Sequence, residues 1–171
     1  MKWSSLVGLL FILSCHKDKR SELFELNHFV DFDIQPGLNT FDTHFFVISP
    51  LASSYDEKLT ASGRTSGDVI GIEAKDAYLS GIFNDVNLKF IDRISVYIFD
   101  PFNPSDKIEF FYLDPVPFKN HTSIRLFPGI ADISDWVDQD FFGIEVRLNF
   151  REVTPSFIQM RMEFDIRVLG E

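Results

Sequence analysis

Four histidines, one cysteine and 26 acids are the side chains able to ligate a metal or move a proton here, and their spacing decides whether any does. His28 recurs in step with Phe24, Leu26, Val30, Phe32 and Ile34 at every second position, so it shares an apolar strand face with them. A lone histidine on such a face is more often a hydrogen-bonded core residue than a ligand. Asp42 and His44 sit at strand spacing and point one way, but a zinc-type site needs a third partner and none is adjacent. His16 and His121 have no neighbouring ligands. Asp100, Asn103 and Asp106 lie among prolines and offer oxygens of the kind calcium takes, without the glycine and closing Glu of an EF-hand loop. Asp132, Asp135, Asp138 and Asp140 form the densest acidic cluster. At helical spacing Asp132 and Asp135 share a face, and a helix dipole favours acids in its first turn, so a solvated helix start is the simpler reading. Neither a G-x-S-x-G elbow nor a glycine-rich phosphate loop occurs. A glycosidase needs two placed carboxylates, and nothing in the sequence singles out a pair. No enzyme and no cofactor is expected.

The cysteine has a different explanation. Lys2 supplies a positive charge, Leu6 to Leu13 form an unbroken apolar run, and Ser14-Cys15 is followed at once by His16, Lys17, Asp18, Lys19 and Arg20. That order matches a secretory leader, and the run is too short to span a bilayer. Ile12-Leu13-Ser14-Cys15 resembles a bacterial lipobox, and the general layout resembles small envelope lipoproteins of Bacteroidota. The resemblance implies cleavage before Cys15, palmitate-type acylation of its thiol, and anchoring of the domain to an outer membrane. It makes the membrane the first partner, with an outer-membrane protein complex as a second. The Lys17-Asp18 pair is similar to the charged export signals of surface lipoproteins in that group. A single cysteine rules out an internal disulfide.

Charge narrows the partners further. The formal net charge is −10, with no Lys/Arg cluster after the tether. Nucleic-acid binding depends on neutralising phosphates, so nucleic acid is not an expected partner.

These residues must be positioned by strands. Phe occurs 20 times against 2 Trp and 4 Tyr, a bias that suits pleated, half-buried surfaces. The expected organisation is a signal peptide over 1–14, a lipidated tether over 15–22 and one domain over 23–171. Alternation predicts a first strand from Leu23, a turn at Pro36-Gly37 and a second strand over Phe41–Leu51. Residues 52–68, rich in Ser, Gly and charge, read as a long loop with room for a short edge strand. Val69–Leu79 has a looser strand pattern. Phe90–Phe99 is apolar on nearly both faces and reads as a central strand, broken by the turn cluster at Asp100–Pro104. Lys107–Leu113 and Thr122–Phe127 follow. Ile144 to Phe150 and Ile158 to Val168 alternate most clearly and read as a long antiparallel hairpin. One short helix fits Asp132–Gln139, capped by Asp132 or Ser134. The fold class is therefore all-β: a single antiparallel β-sandwich, Greek-key or jelly-roll-like, of seven to eight strands with at most one short helix.

Aromatics are the remaining candidates for contact. Phe29, Tyr97 and Phe99 lie opposite the predicted core face, Phe102 in a turn and Trp136 on the helix. Packing at the core or its rim is the commoner fate of such rings, and several exposed together would mark a contact patch. Trp136, Phe102 and Tyr97 are the candidate contact residues. The expected function is a lipid-anchored, non-enzymatic binding or accessory subunit at the outer membrane. The alternatives are a carbohydrate-binding module, which would show two exposed aromatics on a concave face, or a fimbrial or matrix subunit.

Overall fold

The computed structural model describes residues 20–83 and 86–171. The leader, Cys15 and residues 16–19 of the tether lie outside them. Eight strands follow in order: β1 (Ser21–Ile34), β2 (His44–Ala52), β3 (Val69–Gly81), β4 (Ile91–Asp100), β5 (Asn103–Leu113), β6 (Ser123–Pro128), β7 (Phe141–Phe150) and β8 (Ile158–Gly170). β1 thus begins two residues inside the segment read as tether.

The strand order is β1-β8-β3-β6-β5-β4-β7-β2, with every ladder antiparallel. First pairs with last, second with seventh, third with sixth and fourth with fifth. A chain paired in that way is one long ribbon folded over itself, the jelly-roll arrangement. β6 joins the two sheets: residues 123–126 pair with β3 and residues 127–128 with β5.

The two clearest strands, β7 and β8, do not form the predicted hairpin. β7 lies between β2 and β4, while β8 lies between β1 and β3 in the facing sheet. Alternation tells which face of a strand is wet and is silent on its neighbour. Here the two apolar faces meet across the sandwich instead of side by side. Met160, Met162, Phe164 and Ile166 come from β8, and Ile144, Val146 and Leu148 from β7, all fully buried. Phe164 sits at the centre, 5.7 Å from Phe110, 6.3 Å from Phe111 and 6.5 Å from Phe142 in ring centroids.

Phe110 and Phe111 are consecutive yet both buried. The register passes from Val96↔Phe111 to Tyr97↔Glu109, so Phe110 is the extra residue of a bulge. A bulge turns a second side chain inward, which simple alternation forbids. β4 is central in its sheet, as expected. On its outer face Phe99 is buried over Gly143, where a Cβ would come within 2.3 Å of the ring.

Between β2 and β3, the segment read as a loop holds helix α1 (Tyr55–Ala61) and a 3-10 turn over Ser66–Asp68. Tyr55 and Leu59 are its buried residues, one helical turn apart, and they dock it on the sandwich. The helix expected over Asp132–Gln139 is a single turn, α2 (Ser134–Val137). Asp132 Oδ1 accepts from the Ser134 N–H at 3.0 Å and from the Ile72 N–H at 3.2 Å, so it ties α2 to β3 as well as bracing its start. Phe41, read as strand, belongs instead to the loop before β2.

Candidate functional site

Because every ladder is antiparallel, odd strands run one way and even strands the other. The loops after β1, β3, β5 and β7 therefore gather at one end, and Ser21 and Gly170, partners in the β1–β8 ladder, lie at the other. Each of the four gathered loops carries an exposed phenylalanine: Phe41 at 92%, Phe83 at 64%, Phe118 at 70% and Phe157 at 51% exposure. Val153 beside them is exposed too. Phe83 and Phe157 share the rim of an open cleft of about 500 Å³ whose wall includes Val86, Phe90 and Pro155.

The loops bearing these rings are braced. Asn39 Oδ1 accepts from the N–H groups of Phe41 and Asp42, both at 2.9 Å, which fixes the turn that holds Phe41 out. The buried Thr154 accepts from the Leu38 N–H at 2.9 Å and donates to the Gln35 carbonyl at 2.7 Å, locking the fourth loop to the first. Arg151, also of the fourth loop, ties it to the end of the second loop, to the start of β4 and to the third loop. Its Nη1 donates to the Ile91 carbonyl at 2.7 Å, its Nη2 to the Val116 carbonyl, and its Nε faces Asp92 at 2.9 Å. Its guanidinium also lies 5.7 Å from the Phe118 ring.

A second surface lies on the outer face of the β1-β8-β3 sheet. Phe29, Glu163 and Tyr78 form one cross-strand row, and Asn27, Asp165 and Asp76 the next. They line an open cleft of about 380 Å³. Phe29 is 63% exposed and Tyr78 42%. The expectation that Phe29 packs away fails because, among the described residues, its strand's outer face has no covering layer; Arg161 lies over the ring, at 4.8 Å.

The three residues singled out from the sequence share no ring contact among the described residues. Trp136 is half-buried against the core, and its Nε1 donates to the Asp106 carbonyl at 3.2 Å. Phe102 stands exposed in the β4–β5 turn, at the end of the sandwich away from the four phenylalanines. Tyr97 is half-buried on the outer face of β4 beneath Arg147, whose guanidinium is 3.9 Å from the ring centroid. Arg147 is held by Glu145 at 2.6 Å. Burial pushes the Glu145 carboxyl up, but hydrogen bonds from Lys107 and Arg147 outweigh it and keep the group below its usual range.

The three described histidines, His28, His44 and His121, make packing or backbone contacts. His44 contacts the Asn39 carbonyl at 2.9 Å and stacks on Phe150 at 5.0 Å. His121 contacts the Pro117 carbonyl at 3.1 Å. His28 differs from expectation: its Nε2 is buried with no hydrogen-bond partner, between Phe164 and Phe142 at 5.3 Å each. Burial pushes its pKa down, opposed by the charge of Asp165. The folded state therefore holds His28 neutral while the unfolded chain takes up a proton near its ordinary value of about 6.5. Stability should fall as pH drops below that value, towards the lower folded pKa. His28→Leu is expected to flatten this decline and to raise stability at pH 7.5 by about 1 kcal/mol, since it removes an unmet polar atom. Urea midpoints at pH 7.5 and 5 check it; an unchanged pH slope in the variant would count against it. Among the described residues, no group of three or more His, Cys, Asp or Glu could hold a metal ion.

Sequence reading missed Phe41, Phe83, Phe118 and Phe157 as a set. The signal was present in their flanks: Asn39-Thr40-Phe41-Asp42, Phe83-Asn84-Asp85, Pro117-Phe118-Lys119 and Ser156-Phe157 embed each ring in turn formers.

No protein-family model matches the chain, and a search of curated proteins finds no relative. Among solved structures, one titled Desmodium yellow mottle tymovirus is similar across 99% of this chain and 95% of that one, at 8% identity and a TM-score of 0.28. Similarity that low carries no argument about this chain. No described helix is long and apolar enough to cross a membrane.

Proposed function

We propose that the chain is a lipid-tethered, non-enzymatic binding module of an outer membrane, an accessory subunit that offers its phenylalanine-bearing loops to a protein partner. The carrying observation is that four separate loops each place an exposed Phe at the same end, opposite the end where the chain enters the domain. Isolated apolar side chains on a surface are ordinary, but a set gathered on braced loops is the pattern of a contact site. The leader supports the anchor: charge, apolar run, small residue and Cys15 stand in the order that lipidation requires.

Two measurements test the reading. Cys15→Ser is expected to abolish palmitate labelling and release the protein from the membrane fraction; labelled, membrane-bound variant protein would refute the anchor. Photo-crosslinking groups placed at Phe83 and Phe157 in living cells are expected to yield one discrete protein adduct, while the same group at Phe102 yields none. Phe41→Ser combined with Phe118→Ser is expected to reduce that adduct by at least about tenfold, the scale of a lost hot spot. Equal crosslinking from Phe102 would remove the loop end as the interface.

A further inference from the structure

We infer that the cleft on the β1-β8-β3 sheet is a saccharide site for a neutral glycan, separate from the loop end. Neighbouring strands lie about 4.8 Å apart, so Phe29 and Tyr78 stand roughly 10 Å apart with Glu163 between them. Two rings at that interval can each take the apolar C–H face of a sugar along one short stretch of chain. The Glu163 carboxylate enters no hydrogen bond or ion pair among the described residues, although its charge is felt by Arg161, so both its oxygens are open to hydroxyl donors. Asp165 adds a further acceptor beside it, with Asn27 already donating to its Oδ1 at 2.8 Å. A carboxylate accepts from several donors at once, and sugar hydroxyls supply them.

The surrounding charges set the ligand class. No Lys or Arg lines the cleft. Two neighbouring guanidiniums are engaged: Arg161, which lies 4.8 Å from the Phe29 ring without lining the cleft, holds Asp31 through two bonds at 2.7 and 2.8 Å, and Arg125 holds Asp76 at 3.1 Å. An anionic sugar, uronate or sulfate, would meet Glu163 and Asp165 with no free cation to offset them. Neutral hydroxylated ligands meet the carboxylate acceptors, the Asn27 amide and Tyr78 hydroxyl, and the two rings. The site rests on none of the residues of the loop end and does not depend on the anchor.

The test is calorimetric titration of the full-length product, held in a detergent without a sugar headgroup, with hexasaccharides of glucose, xylose, mannose and N-acetylglucosamine. At least one is expected to bind saturably at or below millimolar concentration, and polygalacturonate is expected not to bind. Tyr78→Ala and Phe29→Ala should each weaken binding at least about tenfold, and Glu163→Gln by a smaller factor. Phe102→Ala should leave it unchanged. Circular dichroism establishes that each variant is folded, and these positions are exposed, so folding is expected to be retained. No binding by any neutral hexasaccharide would overturn the proposal. So would binding indifferent to Tyr78 and Phe29, or binding of oligolysine in place of sugar, which would make the cleft a cation site. Loss of the loop-end crosslink would bear on the proposed function and leave this result untouched.

Discussion

Arg151→Ala is expected to lower unfolding free energy by about 2–4 kcal/mol, because one guanidinium serves the Ile91 carbonyl and Asp92 carboxylate at the start of β4 and the Val116 carbonyl of the β5–β6 loop. Its removal leaves the Ile91 and Val116 carbonyls facing a gap, in residues almost wholly shielded from water. An unmet buried acceptor costs more than the bond was worth, so the loss exceeds that of an ordinary surface ion pair. Arg151→Lys should recover little, since an ammonium is a point charge and cannot reproduce the planar fork that spans the three partners. Denaturant unfolding followed by circular dichroism measures both. A loss under 1 kcal/mol for the alanine variant would mean that water replaces the guanidinium freely. The loop-end crosslink should weaken in the same variant, since the loops carrying Phe83 and Phe118 lose their common brace.

Phe164→Ala is expected to cost about 3–5 kcal/mol, the usual range for removing a buried ring. Phe164 contacts rings from the facing sheet, Phe110, Phe111 and Phe142, and stacks on His28 within its own. Phe164→Leu keeps part of the volume and should cost less than half as much. A midpoint for the alanine variant within 1 kcal/mol of the parent would show that the sandwich closes over the cavity.

Much of the architecture was legible because most strands have one wet face. Along β8, Gln159, Arg161, Glu163, Asp165 and Arg167 point outward while every second residue is apolar, and the burial follows that pattern. What alternation cannot encode is partnership. β7 and β8 are joined by a short connection that suits a hairpin as well as an arch between sheets, and only the global pairing of first with last strand decides it. Phe110 escaped for another reason: a bulge breaks the period it would be read from. Helix α1 was hidden because only Tyr55 and Leu59 mark its apolar side. The exposed loop rings were hardest. Phe41 falls in period-two step with Phe45 and Val47 of β2, and the Asn39 turn removes it from the strand.

The placement of Ser21 at the foot of the sandwich limits how the domain can stand. On the proposed anchor, the six residue steps from Cys15 to Ser21 reach no more than roughly 20 Å, whereas the 14 residues of β1 extend about 45 Å when drawn at strand pitch. A leash shorter than the body it holds forbids a full somersault: the foot stays within about 20 Å of the leaflet, so the domain can lean or lie down but cannot stand on its crown.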